Sequence, residues 1–193
     1  YLQGQLASQL ATESFVEHFL RGEGRSMPRL SFALEQANAR LRMAWMELER
    51  KVPLVTTIVA VHVFRGVAHW VSIGDSPLYV WRRSSLKRLN ADHSVQDPSR
   101  PGVRSNTLRY ALTYRPIEAV DRSPRRGFSL GRDAKLVCAS DGVFTLSDQR
   151  ICETLNVQPV SVQGAVDGLL EEVSAVGKPR QDNTTVAVVA RQW

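Results

Sequence analysis

The chain has 193 residues, 43% apolar and 23% charged, with a formal net charge of +6. This is the balance of a soluble globular protein of about one domain, large enough to build a core without disulfides and unlike a low-complexity or membrane-spanning chain. The two cysteines, Cys138 and Cys152, stand apart in apolar settings and form no CxxC pair, so free buried thiols and a reducing, cytoplasmic compartment are expected.

Taken from the start, Leu6, Leu10, Phe15 and Phe19 recur at helical spacing and predict a helix over 5–20, ended by Gly22 and Gly24. The chain opens on Tyr1, directly in that pattern, and reads as part of a longer polypeptide. Ser26 as cap and Pro28 in the first turn open a second helix with the stripe Leu30, Leu34, Ala37, Leu41, Trp45 and Leu48, stopped by Pro53. The period then changes. Leu54 to Val63 is β-branched and threonine-rich, Gly66 marks a turn, and strands follow at 67–73 and, after Gly74–Pro77, at 78–81. Their tight connections imply an antiparallel meander. None of these apolar runs approaches the ~20 residues of a membrane span.

Residues 91–132 read as long connections around a small helix or two. From Arg100 to Arg132 they hold eight arginines against Glu118 and Asp121. A solvated loop, a surface for phosphorylated protein and a nucleic-acid surface all stay open, the last without any nucleic-acid motif or aromatic stacking series. A buried strand at 135–139 then runs into Ser140-Asp141-Gly142. Helices are predicted at about 147–155 and at 161–176, the latter with Val162, Val166, Leu169, Leu170 and Val173 on one face. A loop at 178–183 leads to a last strand at 184–190. Antiparallel strands with segregated helices give an α+β fold class.

Three aspartates share one local setting. Asp75 and Asp141 follow strand ends, and Asp182 precedes the last strand. Carboxylates at strand ends can converge on a sheet rim, where hard cations accept oxygen ligands, and Gly142 permits a tight turn beside Asp141. Each alone is an ordinary turn aspartate.

Six segments in order carry more. They are Thr56-Thr57-Ile58-Val59-Ala60, residues 72–79 around Gly74-Asp75-Ser76, Leu89-Asn90-Ala91-Asp92-His93-Ser94, residues 106–112, residues 137–143 around Ser140-Asp141-Gly142, and Gln181-Asp182-Asn183-Thr184-Thr185-Val186. Together they resemble the bacterial branch of the PP2C (PPM-type) protein phosphatases, over essentially the whole chain from Gly4 to Val189. The resemblance implies a single PP2C-like domain over 1–193, a β-sandwich of antiparallel sheets flanked by helices. It implies two Mn²⁺ or Mg²⁺ ions, with a third held more weakly in many members. Asp141 and Asp182 match ligands of the first metal, and Asp75 matches an aspartate of the third site. The implied reaction is hydrolysis of phosphoserine or phosphothreonine esters in proteins by a metal-activated water. The implied partners are phosphorylated proteins and an opposing kinase, with no nucleic acid. Arg104 and Arg109 are the candidate substrate contacts.

The sequence also departs from the family. Val55 stands where glycine usually precedes the two threonines, and Pro77 where many members have arginine. The family's Asp-Gly-x-Gly-Gly motif, its first metal-binding acid and the first sandwich strands are expected upstream of Tyr1. A catalytically incomplete module that binds phosphoproteins is therefore the alternative. His18, His62 and His69 read as structural or surface residues and His93 as a loop-shaping one; Ser76 and Ser140 have no histidine placed to activate them.

Overall fold

The computed structural model describes residues 2–49, 51–95, 99, 107–156, 161–179 and 181–191. The chain divides into two compact units, one of residues 1–64, 68–75 and 92–128, the other of residues 65–67, 76–91 and 129–193. Both combine helices with antiparallel strands, so the fold class is α+β.

In the first unit, helices α1 (Leu2–Arg21) and α2 (Ser26–Glu47) pack along each other. The buried face of α1 is Ala7, Ala11 and Phe15, while Leu6 of the expected stripe is exposed. Alanines at this seam let the helices approach closely, which a leucine face would not allow. They meet Leu30, Ala33, Leu34, Ala37 and Leu41 of α2 in one core with Leu54, Val71, Ile73 and Leu112. Ser26 is not the cap of α2: Arg25 takes that position without a side-chain hydrogen bond, and the Ser26 hydroxyl lies 3.0 Å from His62 Nδ1. The helix ends at Glu47, before Pro53. Arg29 donates to the Phe19 carbonyl at 2.6 Å and lies 4.2 Å from the Phe19 ring centroid, so a cation satisfies the end of α1.

Strands β2 (Ile58–Phe64) and β3 (Val67–Ile73) form a sheet with β7 (Asp121–Arg122), and β8 (Phe128–Ser129) also pairs with β3. The β2–β3 turn places Arg65 at φ 51° and Gly66 at φ 78°, a left-handed pair suited to a two-residue hairpin. β1 (Val55–Thr56) pairs with β6 (Leu112–Thr113). Buried Asn38 of α2 anchors the chain after β6 by donating to the Thr113 and Arg115 carbonyls at 2.6 and 2.7 Å. The helix or two expected in 91–132 are absent among the described residues; two-residue strands take their place.

The second unit is built on an antiparallel sheet in the order β10-β9-β4-β5, from β4 (Leu78–Arg82), β5 (Ser85–Arg88), β9 (Ala134–Ala139) and β10 (Val186–Ala190). The expected meander is therefore wrong at its third strand. β4 pairs with β5 and with distant β9, not with β3. After the five-residue 3₁₀-helix Asp141–Thr145, α3 (Asp148–Asn156) and α4 (Val162–Val176) complete the unit. Tyr79, Trp81, Val137, Ile151, Leu155, Leu169 and Val173 form its core. α4 starts on a side-chain cap, the Gly164 N–H donating to Ser161 Oγ at 2.9 Å, and ends on Gly177 in the left-handed region. Arg150 of α3 donates twice to Glu172 of α4, both at 2.8 Å.

Candidate functional site

Asp141 and Asp182 emerge at one end of the second unit's sheet. The β9–β10 ladder runs from Lys135 opposite Ala190 to Ala139 opposite Val186. Ser140 continues it: its N–H donates to the Thr185 carbonyl at 2.9 Å, and its hydroxyl accepts the Thr185 N–H at 2.9 Å. The same hydroxyl donates to the Asn183 carbonyl at 3.1 Å. Ser140 thus has a structural task. It ties the residue before Asp141 to the segment that carries Asp182.

Gly142 tightens this junction. It is buried, and a Cβ there would fall 2.7 Å from the Asn183 carbonyl oxygen and 2.9 Å from that of Asp182. Glycine is required for this close backbone approach, whereas the sequence suggested only a tight turn. Asp141 opens the 3₁₀-helix, and its side chain and that of Asp182 face solvent. Exposed carboxylates are hard oxygen donors of the kind Mg²⁺ and Mn²⁺ accept, so the pair fits part of a divalent-cation site. Among the described residues no group of three histidine, cysteine or acidic side chains forms a closed cage.

Asp75 belongs to the first unit, where it is 9% exposed. The backbone before it is held from two directions. Gly74 adopts φ +107°, and a Cβ there would sit against the Thr57 side chain. His93 clamps the same residue: its Nδ1 accepts the Gly74 N–H at 3.2 Å and its own N–H donates to the Gly74 carbonyl at 3.2 Å. His93 therefore shapes the loop, as expected, by fixing the turn that carries Asp75. Its ring meets Tyr110 edge-on at 5.5 Å. The Thr56-Thr57 and Asp92-His93-Ser94 segments gave a signal in the sequence, but not the fact that both close on Gly74.

Arg109 is exposed, donates its N–H to the His93 carbonyl at 2.7 Å, and holds its guanidinium 5.5 Å from the Tyr110 ring centroid. Arg104 lies outside the described residues. In the second unit Asn90, buried, accepts the Leu78 N–H at 2.8 Å and donates to the Ser76 carbonyl at 2.9 Å. The Pro77 carbonyl accepts the Ala139 N–H at 3.1 Å, so Pro77 contributes its one polar backbone group to the end of β9.

No family profile and no curated protein matches the chain. Solved structures do. The chain is similar to the PPM Ser-Thr phosphatase MsPP from Mycobacterium smegmatis, with 29% identity, TM-score 0.77, and 95% of this chain and 81% of that one covered. It is also similar to the Mycobacterium tuberculosis serine/threonine phosphatase PstP/Ppp, with 24% identity, TM-score 0.79, and 97% and 82% covered. The PstP catalytic domain solved with two manganese ions matches at 23% identity, TM-score 0.77, and 95% and 80% covered.

Proposed function

From the premise that this chain has the fold of the bacterial PP2C, or PPM-type, serine/threonine phosphatases, we propose that it serves divalent-cation-dependent hydrolysis of phosphoserine and phosphothreonine esters in proteins. The observation that supports the reading is the meeting of the segments that carry Asp141 and Asp182 at the end of β9 and β10, held by Ser140 and made possible by Gly142. In this reading residues 1–193 act as a single domain, and Asp141 and Asp182 hold Mn²⁺ or Mg²⁺, two ions being bound in the PstP catalytic domain. Bound there, the cations supply a lowered water pKa and neutralise charge on the phosphoryl oxygens.

The chain's own residues do the positioning. Ser140 and Gly142 fix the separation of the two carboxylate-bearing segments, so little reorganisation is needed when charge is bound. The Gly74 turn, clamped by His93, fixes the backbone before Asp75, which would hold a further cation in the role the family resemblance gives it. Arg104 and Arg109 receive the phosphate of the protein substrate, to which a guanidinium can donate two parallel hydrogen bonds.

The experiment is hydrolysis of p-nitrophenyl phosphate by the natural polypeptide that contains this chain. Turnover is expected with Mn²⁺ and is expected to vanish in EDTA; turnover indifferent to chelation contradicts the reading. A second reading is a module that binds phosphoproteins without hydrolysing them. Arg109, exposed beside Tyr110, would serve such a module as well, since a guanidinium pairs with phosphate without any cation. Retention on a phosphothreonine peptide with no turnover at any Mn²⁺ concentration would select it.

A further inference from the structure

A pocket of about 770 Å³ lies in the first unit, lined by the α1–α2 turn, the β2–β3 strands and the loop after β7. It is separate from the Asp75 turn. β2 follows Thr57, which packs against Gly74, and His62 is five residues further on, roughly 16 Å along the strand at about 3.3 Å per residue.

The lining is strongly basic. Arg25, Arg29, Arg125 and Arg126 border the pocket beside His62 and His69, and among the described residues no carboxylate does. None of the four arginines forms an ion pair among the described residues. The start of α2 opens onto the same space, with no acidic residue in its first turn and no side-chain cap, so its N–H groups add partial positive charge. Burial first, then the charges of Arg29 and His69, hold the pKa of His62 below its ordinary value. Arg29 already donates to the Phe19 carbonyl, so Arg25, Arg125 and Arg126 are the cations around this pocket that call for an anion.

One wall is different. Phe64 is 58% exposed, and its ring stacks on His62 at 6.2 Å with 14° between the planes. A flat aromatic surface beside an arginine cluster suits a ligand with a ring at one end and several negative charges at the other. The volume falls within the roughly 300–1,000 Å³ of small-molecule sites. Three arginines exceed what one phosphate dianion neutralises, and a bare phosphate would make no contact with the Phe64 ring.

We propose that this pocket binds a nucleoside di- or triphosphate, its phosphates on Arg25, Arg125, Arg126 and the start of α2 and its base against Phe64. The assignment is independent of the phosphatase reading, since it uses none of the three aspartates.

Calorimetric titration of the chain in low salt and EDTA tests it, the chelator removing any cation-dependent binding elsewhere. ATP and ADP are expected to bind at one site, adenosine not at all, and pyrophosphate about tenfold more weakly than ADP because stacking is lost. Arg125→Ala and Arg126→Ala lie on an exposed loop, and each is expected to weaken ATP binding about tenfold or more. Phe64→Ala should weaken ADP and leave pyrophosphate unchanged. Circular dichroism and melting of each variant report whether the fold is intact. No binding of ATP or ADP at low salt, ATP binding unchanged in a folded Arg125→Ala/Arg126→Ala variant, or equal affinity for ADP and pyrophosphate would each overturn the assignment.

Discussion

Gly142 has carbonyl oxygens of Asn183 and Asp182 where a Cβ would have to go, and Ser140 ties that backbone down just beyond the β9–β10 ladder. Gly142→Ala must therefore push the Asp141 and Asp182 segments apart. Overpacking of this kind costs about 1–3 kcal/mol, which urea unfolding would register as a lower midpoint with an unchanged slope. Cys138 makes a second case at this scale. Burial pushes its thiol up to about 12, so almost no thiolate forms at pH 8, and the native protein should leave Cys138 unmodified by a disulfide reagent that reacts once urea is added. His62 is shifted the other way from its usual 6.5, by burial, then by Arg29 and His69. The unfolded chain takes up a proton at a pH where the folded one does not. Stability from this residue is therefore intact above pH 6.5 and declines as pH falls below it. Melting temperatures between pH 7 and pH 5.5 should decline less steeply in His62→Gln; an identical slope would rule out the contribution.

At the scale of elements, α4 has both ends secured, by Ser161 and by Gly177. Ser161→Ala removes the acceptor of the Gly164 N–H and is expected to cost about 1 kcal/mol, measurable by chemical unfolding. Which elements exist was largely legible before their pairing. The strand over 67–73, the strand starting at 78, and the helices near 148–156 and 162–176 follow from period and turn residues. The partner of β4 does not, because alternation along a strand says which face is buried and nothing about which distant strand lies beside it. The two-residue strands between 112 and 129 are too short to carry any period. The face of α1 misled for another reason: Leu6 and Ala7 both suit a helix, and only the close approach of α2 decides in favour of alanine.

At the scale of the whole molecule, the six ordered segments point to the PP2C fold, and the similarity to MsPP and PstP bears that out. The candidate aspartates were legible because they sit in those segments. Their fixation was not, since Ser140 meets Asn183 across 43 residues and His93 meets Gly74 across 19. The cationic pocket was less legible still: Arg25 and Arg29 are ordinary helix-end residues until the chain returns with Arg125 and Arg126. The central claim is that Asp141 and Asp182 together hold the cations on which hydrolysis depends. The direct measurement is Mn²⁺-dependent turnover of a phosphothreonine peptide by Asp141→Asn and Asp182→Asn in the natural polypeptide, with Mn²⁺ affinity followed in parallel. Both variants are expected to lose Mn²⁺ affinity and about a hundredfold or more in turnover, because a neutral amide is a poor ligand for a dication. Folded variants that keep wild-type Mn²⁺ affinity and turnover would contradict it.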